Sequence, residues 1–414
     1  MIEALRSLFL ASTWRMAWRN VGRNPRRTGI IGSAISIGVG ATIFAMAINF
    51  GMIFGMVRAA IDTELGHVQV HGIGFEKKPG LEISLDPSRI EEARIEELPG
   101  LTGWARRVRH EGLVSSPRAA VGVRVVGVEP GREASVTQIA TSIVEGSFLG
   151  SERRRVVMGA RLARRLKVKP GDKVVVSAQD LAGDLTGEAF RVAGLFETSS
   201  RELDESAVYL ALDEAQEMLG LGEAISELVL RTTEGADPEA LALQLSERLG
   251  DGAEVRTWEE MRPTLVAMVA MFDQIGWVLY AAVFVAMAFG IANVLMMSLY
   301  ERIREVGIMM AIGMRPGRMV AAMLAESILL TTVGVGLGLL IGLGGAELLS
   351  EGIDFSRWSD GLTGYGIPTK IIPSVRTGDL RDPVVIAVIT AILASLWPAL
   401  RAARIQPADA IRHV

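Results

Sequence analysis

The sequence predicts an α-helical membrane protein: four transmembrane helices and a large mixed α/β domain on the outer side, carried on extended stalk helices. Three observations predict it. Four long runs carry no formal charge: 28–57 (30 residues), 274–300 (27), 327–346 (20) and 383–400 (18). At about 1.5 Å per residue, about 20 apolar residues cross a ~30 Å hydrocarbon core, so each run is a candidate span. Between the first two runs, residues 58–263 have the composition of a soluble domain, with 26 basic and 35 acidic residues. Basic residues concentrate elsewhere, in segments 1–27, 301–318 and 401–414, which together hold 13 basic against 4 acidic. A four-span path puts all three on one side, which the positive-inside rule makes cytoplasmic.

Segment 1–27 interleaves Trp14, Met16, Trp18 and Val21 with Arg15, Arg19 and Arg23, the pattern of a helix lying in the interface. Simple anchoring and a partner contact both use such a helix. The first span, 28–57, follows basic residues as a secretory signal would. Its length and the lack of an Ala-x-Ala exit make it an uncleaved anchor. Gly32, Ser36 and Gly40 repeat at four-residue spacing within it, as do Gly334, Gly338 and Gly342 in the third span, 319–346. Small residues at that interval let helices approach closely, so these stripes read as packing seams, within a bundle or a dimer.

Residues 58–263 form the α/β domain. Strand alternation appears at 67–71, 121–128 and 173–177, and helical periods at 90–98, 160–166, 212–219 and 238–249. Helical character then resumes at 264–300, which is longer than a crossing needs; the excess, with Asp273 in it, predicts a stalk. The connection 301–318 carries six charges between two uncharged spans. Ile303, Val306 and Met310 against Arg302, Arg304 and Glu305 predict a short amphipathic helix, stopped by Gly313 and Pro316-Gly317. Segment 347–382, rich in Gly, Pro and Asp, reads as an outer loop; 383–400 is the last span and 401–414 a cytoplasmic tail.

Several chemistries are excluded or weak. The sequence has no cysteine, so no disulfide or thiolate metal site exists. No Gly-x4-Gly-Lys-Ser/Thr run is present, so the chain holds no P-loop and an ATPase must be another chain. His67, Gln69 and His71 share one strand face, but two imidazoles without a third ligand do not make a metal site. With four histidines, a nucleophile triad has little to build on. No catalytic residue, metal or cofactor is assigned to this chain, and nothing in it points to nucleic acid. Glu326 and Asp273 read as snorkelling or capping groups at span ends. The methionines of the second and third spans (Met268, Met271, Met287, Met296, Met297, Met323) suit ordinary packing and a surface for varied acyl chains alike.

Three blocks carry a resemblance. Glu301-Arg302, Glu305-Val306-Gly307 and Ala311-Ile312-Gly313 resemble a coupling segment. Pro398-Ala399-Leu400-Arg401-Ala402-Ala403-Arg404-Ile405-Gln406-Pro407 with Ala410-Ile411-Arg412 resembles a C-terminal signature. Val156-Val157-Met158-Gly159 through Leu162-Ala163, then Val168-Lys169-Pro170-Gly171-Asp172, is similar to a periplasmic core domain. The family is the permeases of MacB-type (type VII) ABC systems, which include the lipoprotein-releasing permeases LolC and LolE, and FtsX. Gly66-His67-Val68-Gln69-Val70, with Leu203-Asp204-Glu205-Ser206 and Trp258, looks closest to the lipoprotein-releasing branch. The long 347–382 loop departs from its better-known members.

The resemblance implies a multi-pass bacterial inner-membrane permease subunit with both termini cytoplasmic and its large domain periplasmic. It implies a cytoplasmic ABC ATPase dimer that binds ATP and Mg, a second permease chain, identical or paralogous, and contact with a periplasmic lipoprotein carrier. ATPase-coupling residues would be Glu301, Arg302, Arg304, Glu305, Gly307, Ile308, Ala311 and Gly313. Closure of the ATPases would move the stalks, and a lipophilic, lipoprotein-like substrate would leave the membrane by mechanotransmission. The apolar outer halves of the first two spans (Ile43, Phe44, Ile48, Phe50, Ile53, Phe54, Met268 and Phe272) would then form the lipid-facing cleft. The alternatives within the family are an FtsX-like transmitter regulating an envelope enzyme and MacB-like efflux of drugs or peptides.

Overall fold

The computed structural model describes residues 11–23, 25–75, 80–233, 235–355, 370–375 and 380–404. The tail signature beyond Arg404 and half of the predicted 347–382 loop (356–369 and 376–379) lie outside the described residues. The chain divides into two compact units, residues 1–53, 270–354 and 370–414 in one, and 54–269 with 355–369 in the other.

Among the described residues, the helical unit contains the N-terminal helix Ala11–Arg23 and four helices long and apolar enough to cross a membrane. These are Pro25–Ala60, Pro263–Glu301, Pro316–Leu348 and Arg381–Ala403, with the short helix Ile303–Ala311 between the second and third. Pro263 and Pro316 stand at helix starts, where the missing N–H costs nothing. The two small-residue stripes face each other. A β-carbon on Gly334, Gly338 or Gly342 would lie 2.6, 2.8 or 2.8 Å from Ile35, Val39 or Ile43. The carbonyl oxygens of Gly32, Ser36 and Gly40 stand 3.4, 3.0 and 3.0 Å from the same three positions. The stripes are thus a seam inside one chain, joining the first span to the third. A short extended segment also packs here: the Ser374 amide donates to the Ala47 carbonyl (3.0 Å), and a side chain on Gly51 would collide with the carbonyl of Ile372.

The α/β unit is built on strands β1 (Val68–His71), β2 (Leu101–Ser115), β3 (Ala120–Val128), β4 (Ile143–Gly146), β5 (Arg155–Gly159), β6 (Lys173–Gln179), β7 (Leu185–Phe196), β8 (Ala207–Ala211), β9 (Glu227–Thr232) and β10 (Glu254–Thr257). Their order is β10-β1-β9-β2-β3-β8-β5-β7-β4, and β6 bridges β2 and β7. Strands β2, β3, β8, β5, β7 and β6 therefore close into a ring. Its interior holds Val108, Val125, Met158, Val176, Phe190 and Leu210. The first half of the 15-residue β2 pairs with β9 instead, in an open lobe whose apolar face packs on helix Pro238–Leu249 through Val68, Val70, Leu228, Leu230, Leu241 and Leu245. Helices Ala160–Leu166, Leu212–Leu219 and Pro238–Leu249 fall where the periodicity puts them. The predicted helix 90–98 is broken into Pro87–Glu92 and the turn Ile95–Glu97, because Arg94 takes a left-handed conformation (φ 46°).

Two of the sequence blocks meet in this unit. Gly159 ends β5 against the backbone of Asp204, so close that a β-carbon there would collide with the Asp204 carbonyl. The Asp204 side chain is 1% exposed and accepts from the Thr198 amide (3.0 Å) and hydroxyl (2.9 Å). Burial raises its pKa to about 6, against the lowering effect of those Thr198 bonds. The unfolded chain releases this proton near pH 4, so the folded state loses stability as pH rises from 4 through 6. The shift corresponds to about 3 kcal/mol at neutrality, at about 1.4 kcal/mol per unit. Asp204→Asn, which keeps an acceptor for Thr198, is expected to gain on wild type as pH is raised from 4 to 7. Thermal unfolding of the detergent-solubilised chain, followed by tryptophan fluorescence, measures this; a pH-independent difference contradicts it.

Candidate functional site

The helix Ile303–Ala311 is held on one side and open on the other. Val306 is buried with Met296, Leu299, Met319 and Ala402, and Met309, Met310, Met314 and Met323 pack around them. Arg23 of the N-terminal helix donates to both carboxylate oxygens of Glu305 (2.5 and 3.2 Å). Arg302 donates to Asn20 Oδ1 (2.9 Å), and Asn20 Nδ2 donates to Glu326 of the third span (3.4 Å). Asn20, Arg302, Glu305, Met309, Met323 and Glu326 line a cavity of about 150 Å³ behind the helix. The Glu305 carboxyl is held below its usual pKa, chiefly by the hydrogen bonds from Arg23. Gly313, at φ 101°, turns the chain out of the helix into the third span, a conformation that side chains resist.

The structure divides the eight residues predicted for coupling. Arg302, Glu305 and the buried Gly307 turn toward the N-terminal helix and the bundle. Glu301, Arg304, Ile308, Ala311 and Gly313 are exposed. Arg304, Ile308, Ala311 and Ile312 stand at i, i+4, i+7 and i+8, one face of the helix. Ile308 is 43% exposed and Ile312 82%, although both are aliphatic. Sequence periodicity marked the amphipathic helix; the division arises because Arg23, some 280 residues away in the chain, claims Glu305.

A second cavity of about 250 Å³ opens among the first, second and fourth spans. Of the eight predicted cleft residues, Ile43, Phe50 and Ile53 line it. Phe44 faces Gly345 of the third span instead, and Ile48 is half-buried. Phe272 accepts from Asn49 through its carbonyl (3.5 Å). Phe54 and Met268 belong to the α/β unit, where Arg58 lies 6.0 Å from the Phe54 ring. The cavity adds Asp273, Trp277, Tyr280 and Asp382, which the apolar pattern did not single out. Trp277 and Tyr280 meet edge to face at 6.1 Å. Among the described residues, no group of three or more His, Asp or Glu is arranged to hold a metal. His67 instead accepts from the Thr232 amide through Nδ1 (3.3 Å).

Four apolar helices, a half-exposed helix clamped at one inter-span turn, and a folded α/β domain between the first two spans define a class: a multi-pass membrane protein with a large folded domain inserted between its spans. Comparison with known proteins agrees. The MacB-like periplasmic core domain matches residues 28–248, and the FtsX-like permease C-terminal segment matches residues 277–407. The chain belongs to this MacB- and FtsX-like family of ABC transporter permeases. It is 23% identical to the lipoprotein-releasing system transmembrane protein LolC of Xylella fastidiosa (strain 9a5c), over 76% of this chain and 78% of that one. It is 22% identical to LolE of Haemophilus influenzae, over 96% and 98%. The uncharacterized ABC transporter permease YknZ of Bacillus subtilis matches at 23%, again over 96% and 98%.

The Arg23–Glu305 pair is testable in isolation. Both side chains are partly exposed (64% and 44%), so the pair is worth at most about 1 kcal/mol. Glu305→Arg is expected to lower thermal stability in detergent slightly, through loss of the pair and repulsion from Arg23 and Arg302. Adding Arg23→Glu should restore it, and a double-mutant cycle without coupling contradicts the clamp.

Proposed function

We infer that this chain is the transmembrane subunit of an ABC transporter, and that a separate cytoplasmic ATPase dimer docks on the exposed face of helix Ile303–Ala311. The observation that carries the reading is that face itself: Arg304, Ile308 and Ala311, with Ile312 just past the helix end, lie outward on a helix whose other side is fixed to the bundle. Exposed aliphatic groups beside an arginine, at the basic end of two spans, suit a protein groove better than water. ATP and Mg would bind in the ATPase. Both termini of this chain would be cytoplasmic and the α/β domain periplasmic, and a second permease chain, identical or paralogous, would complete the complex.

The cargo on this reading is lipophilic and lipoprotein-like, drawn from the inner membrane and passed to a periplasmic carrier. Relatives named for lipoprotein release support it, as does the apolar cavity lined by Ile43, Phe50 and Ile53. Mechanotransmission, rather than passage through a water-filled pore, fits a chain whose first two spans run on past the membrane thickness as helices of 36 and 39 residues.

Reconstituted with its ATPase in proteoliposomes, the permease is expected to release an acylated protein in an ATP-dependent manner. Ile308→Glu and Ile312→Glu, which replace outward-facing residues, should leave the chain folded yet weaken ATPase retention at least tenfold, about 1.4 kcal/mol or more. Wild-type retention in both variants contradicts the docking face. Full hydrolysis without release of any of several acylated cargoes contradicts the transport reading and favours signal transmission to an envelope enzyme.

A further inference from the structure

The N-terminal helix Ala11–Arg23 is fastened on one side only. Thr13 and Ala17 are buried, and Asn20 and Arg23 reach Arg302 and Glu305 at the start of helix Ile303–Ala311. The rest of its circumference carries two stripes, Trp14 with Trp18 and Arg15 with Arg19. Each pair stands at i, i+4, and the stripes lie about 100° apart around the helix. All four side chains are exposed, that of Trp18 by 67%. The helix does not continue the first span. Thr28 Oγ1 donates to the Val21 carbonyl (2.7 Å), although residues seven apart in one straight helix are separated by about 10 Å. The chain therefore bends sharply between the two helices, and Ala11–Arg23 turns away from the axis of the first span.

Charge and level decide what covers these stripes. No acidic residue lies between Glu3 and Asp62, and among the described residues neither Arg15 nor Arg19 is paired with a carboxylate. Arg23, by contrast, has Glu305. Two more exposed aromatics stand where spans end. Tyr300 (53%) lies one residue before the end of the second and Trp397 (58%) near the end of the fourth, with Arg401 6.0 and 5.9 Å from their rings. Tyr300 is two residues from Arg302, which holds Asn20, so the tryptophans of the N-terminal helix lie near the same level. Tryptophan, tyrosine and arginine gathered at span ends are the composition of a membrane–water interface. In water the indoles would expose their apolar faces; at headgroup level the rings and the cations are both satisfied.

We propose that helix Ala11–Arg23 is a binding surface for anionic phospholipid, with its tryptophans at headgroup level and Arg15 and Arg19 on the negatively charged headgroups. Two unpaired guanidinium groups on an element without a carboxylate attract an anionic surface and gain little from a zwitterionic one. The same helix holds Ile303–Ala311 through Asn20 and Arg23, so lipid bound there steadies the element that the proposed ATPase meets.

The test mixes the full-length chain in detergent with phosphatidylglycerol and phosphatidylcholine of identical acyl chains and measures, by native mass spectrometry, which lipid stays bound. One arginine near an anionic surface contributes a factor of about five, and two about twenty-five. Wild type is expected to retain phosphatidylglycerol over phosphatidylcholine at least about tenfold, and Arg15→Gln/Arg19→Gln less than about threefold. Both positions are exposed, so unfolding followed by tryptophan fluorescence should be unchanged. The charge-matched control Arg304→Gln/Arg318→Gln should keep the preference. A second arm reads the consequence, which rests on the docking of the ATPase. Hydrolysis by the reconstituted complex should rise several-fold when phosphatidylglycerol replaces half of the phosphatidylcholine, and Arg15→Gln/Arg19→Gln should abolish the rise. Equal retention of the two lipids by wild type, or equal loss of preference in both double variants, overturns the lipid surface. If ATPase retention then falls in Arg15→Gln/Arg19→Gln, the face belongs to a protein. Wild-type hydrolysis that ignores phosphatidylglycerol overturns the link to the docking helix. Lipid retention is measured without the ATPase, so the lipid surface and the docking reading stand or fall separately.

Discussion

The α/β unit depends on one buried electrostatic junction, formed where the first long helix stops. That helix ends at Ala60 and continues as a π-helical turn, Ile61–Leu65, whose acids are gathered by the sheet. Glu64 accepts from Arg124 of β3 (2.5 Å) and from Arg262 (2.9 Å), the residue before the second long helix. The Glu64 carbonyl accepts from Arg107 of β2 (2.7 Å). Arg107, 2% exposed, also makes a two-pronged contact with Glu133 (2.6 and 2.9 Å), which the Thr137 hydroxyl supports. Asp62 takes Arg231 of β9 (2.6 Å) and the Gln138 side-chain amide (3.0 Å). Burial alone would lower the Arg107 pKa; the charge and hydrogen bonds of Glu133 more than reverse that and raise it. Desolvating so many charges leaves little net stability, but removal of one partner from such a group costs about 3–5 kcal/mol. The junction therefore fixes position: the end of one long helix and the start of the other are tied to the same strands.

This explains which parts of the chain were legible in the sequence. The spans, the stalk lengths and helices 160–166, 212–219 and 238–249 follow from apolar runs and periodicity, which local sequence records directly. Strands β2 and β9 do not, because the face that carries Arg107 and Glu227 is buried as well as the apolar one, so the strands lack a clean alternation of apolar and polar residues. The partners of Arg107, the Glu133 carboxylate and the Glu64 carbonyl, lie on separate elements that only the folded chain brings near. The same holds for helix Ile303–Ala311. Its amphipathic character is readable from Ile303, Val306 and Met310, but which charges face inward is decided by Arg23 and Asn20 of the N-terminal helix. The small-residue stripes lie between these cases: four-residue spacing announces close packing, and only the structure shows that one stripe meets the other.

The candidate sites share a design in which apolar surface is combined with a few fixed polar groups. In the helical unit, the cavity floor of Ile43, Phe50 and Phe284 meets Asp273 and Asp382. Behind helix Ile303–Ala311, methionines surround the Asn20–Arg302–Glu326 chain of hydrogen bonds. Flexible thioethers accommodate small displacements of a helix that its polar contacts keep in register. On the proposed function, a helix fixed in this way would pass a push from a docked ATPase to the spans instead of absorbing it.

On the proposed function, ATP hydrolysis in the docked ATPase would be converted into movement through the two long helices and the junction on which they end. The most direct measurement is the amount of acylated cargo released per ATP hydrolysed by the reconstituted complex, for wild type, Glu64→Gln and the milder Arg262→Gln. Both substitutions lie far along the chain from helix Ile303–Ala311, so the account predicts unchanged ATPase retention and hydrolysis. It predicts a several-fold loss of release per ATP in Arg262→Gln and a larger one in Glu64→Gln. Wild-type release per ATP in both variants would contradict it.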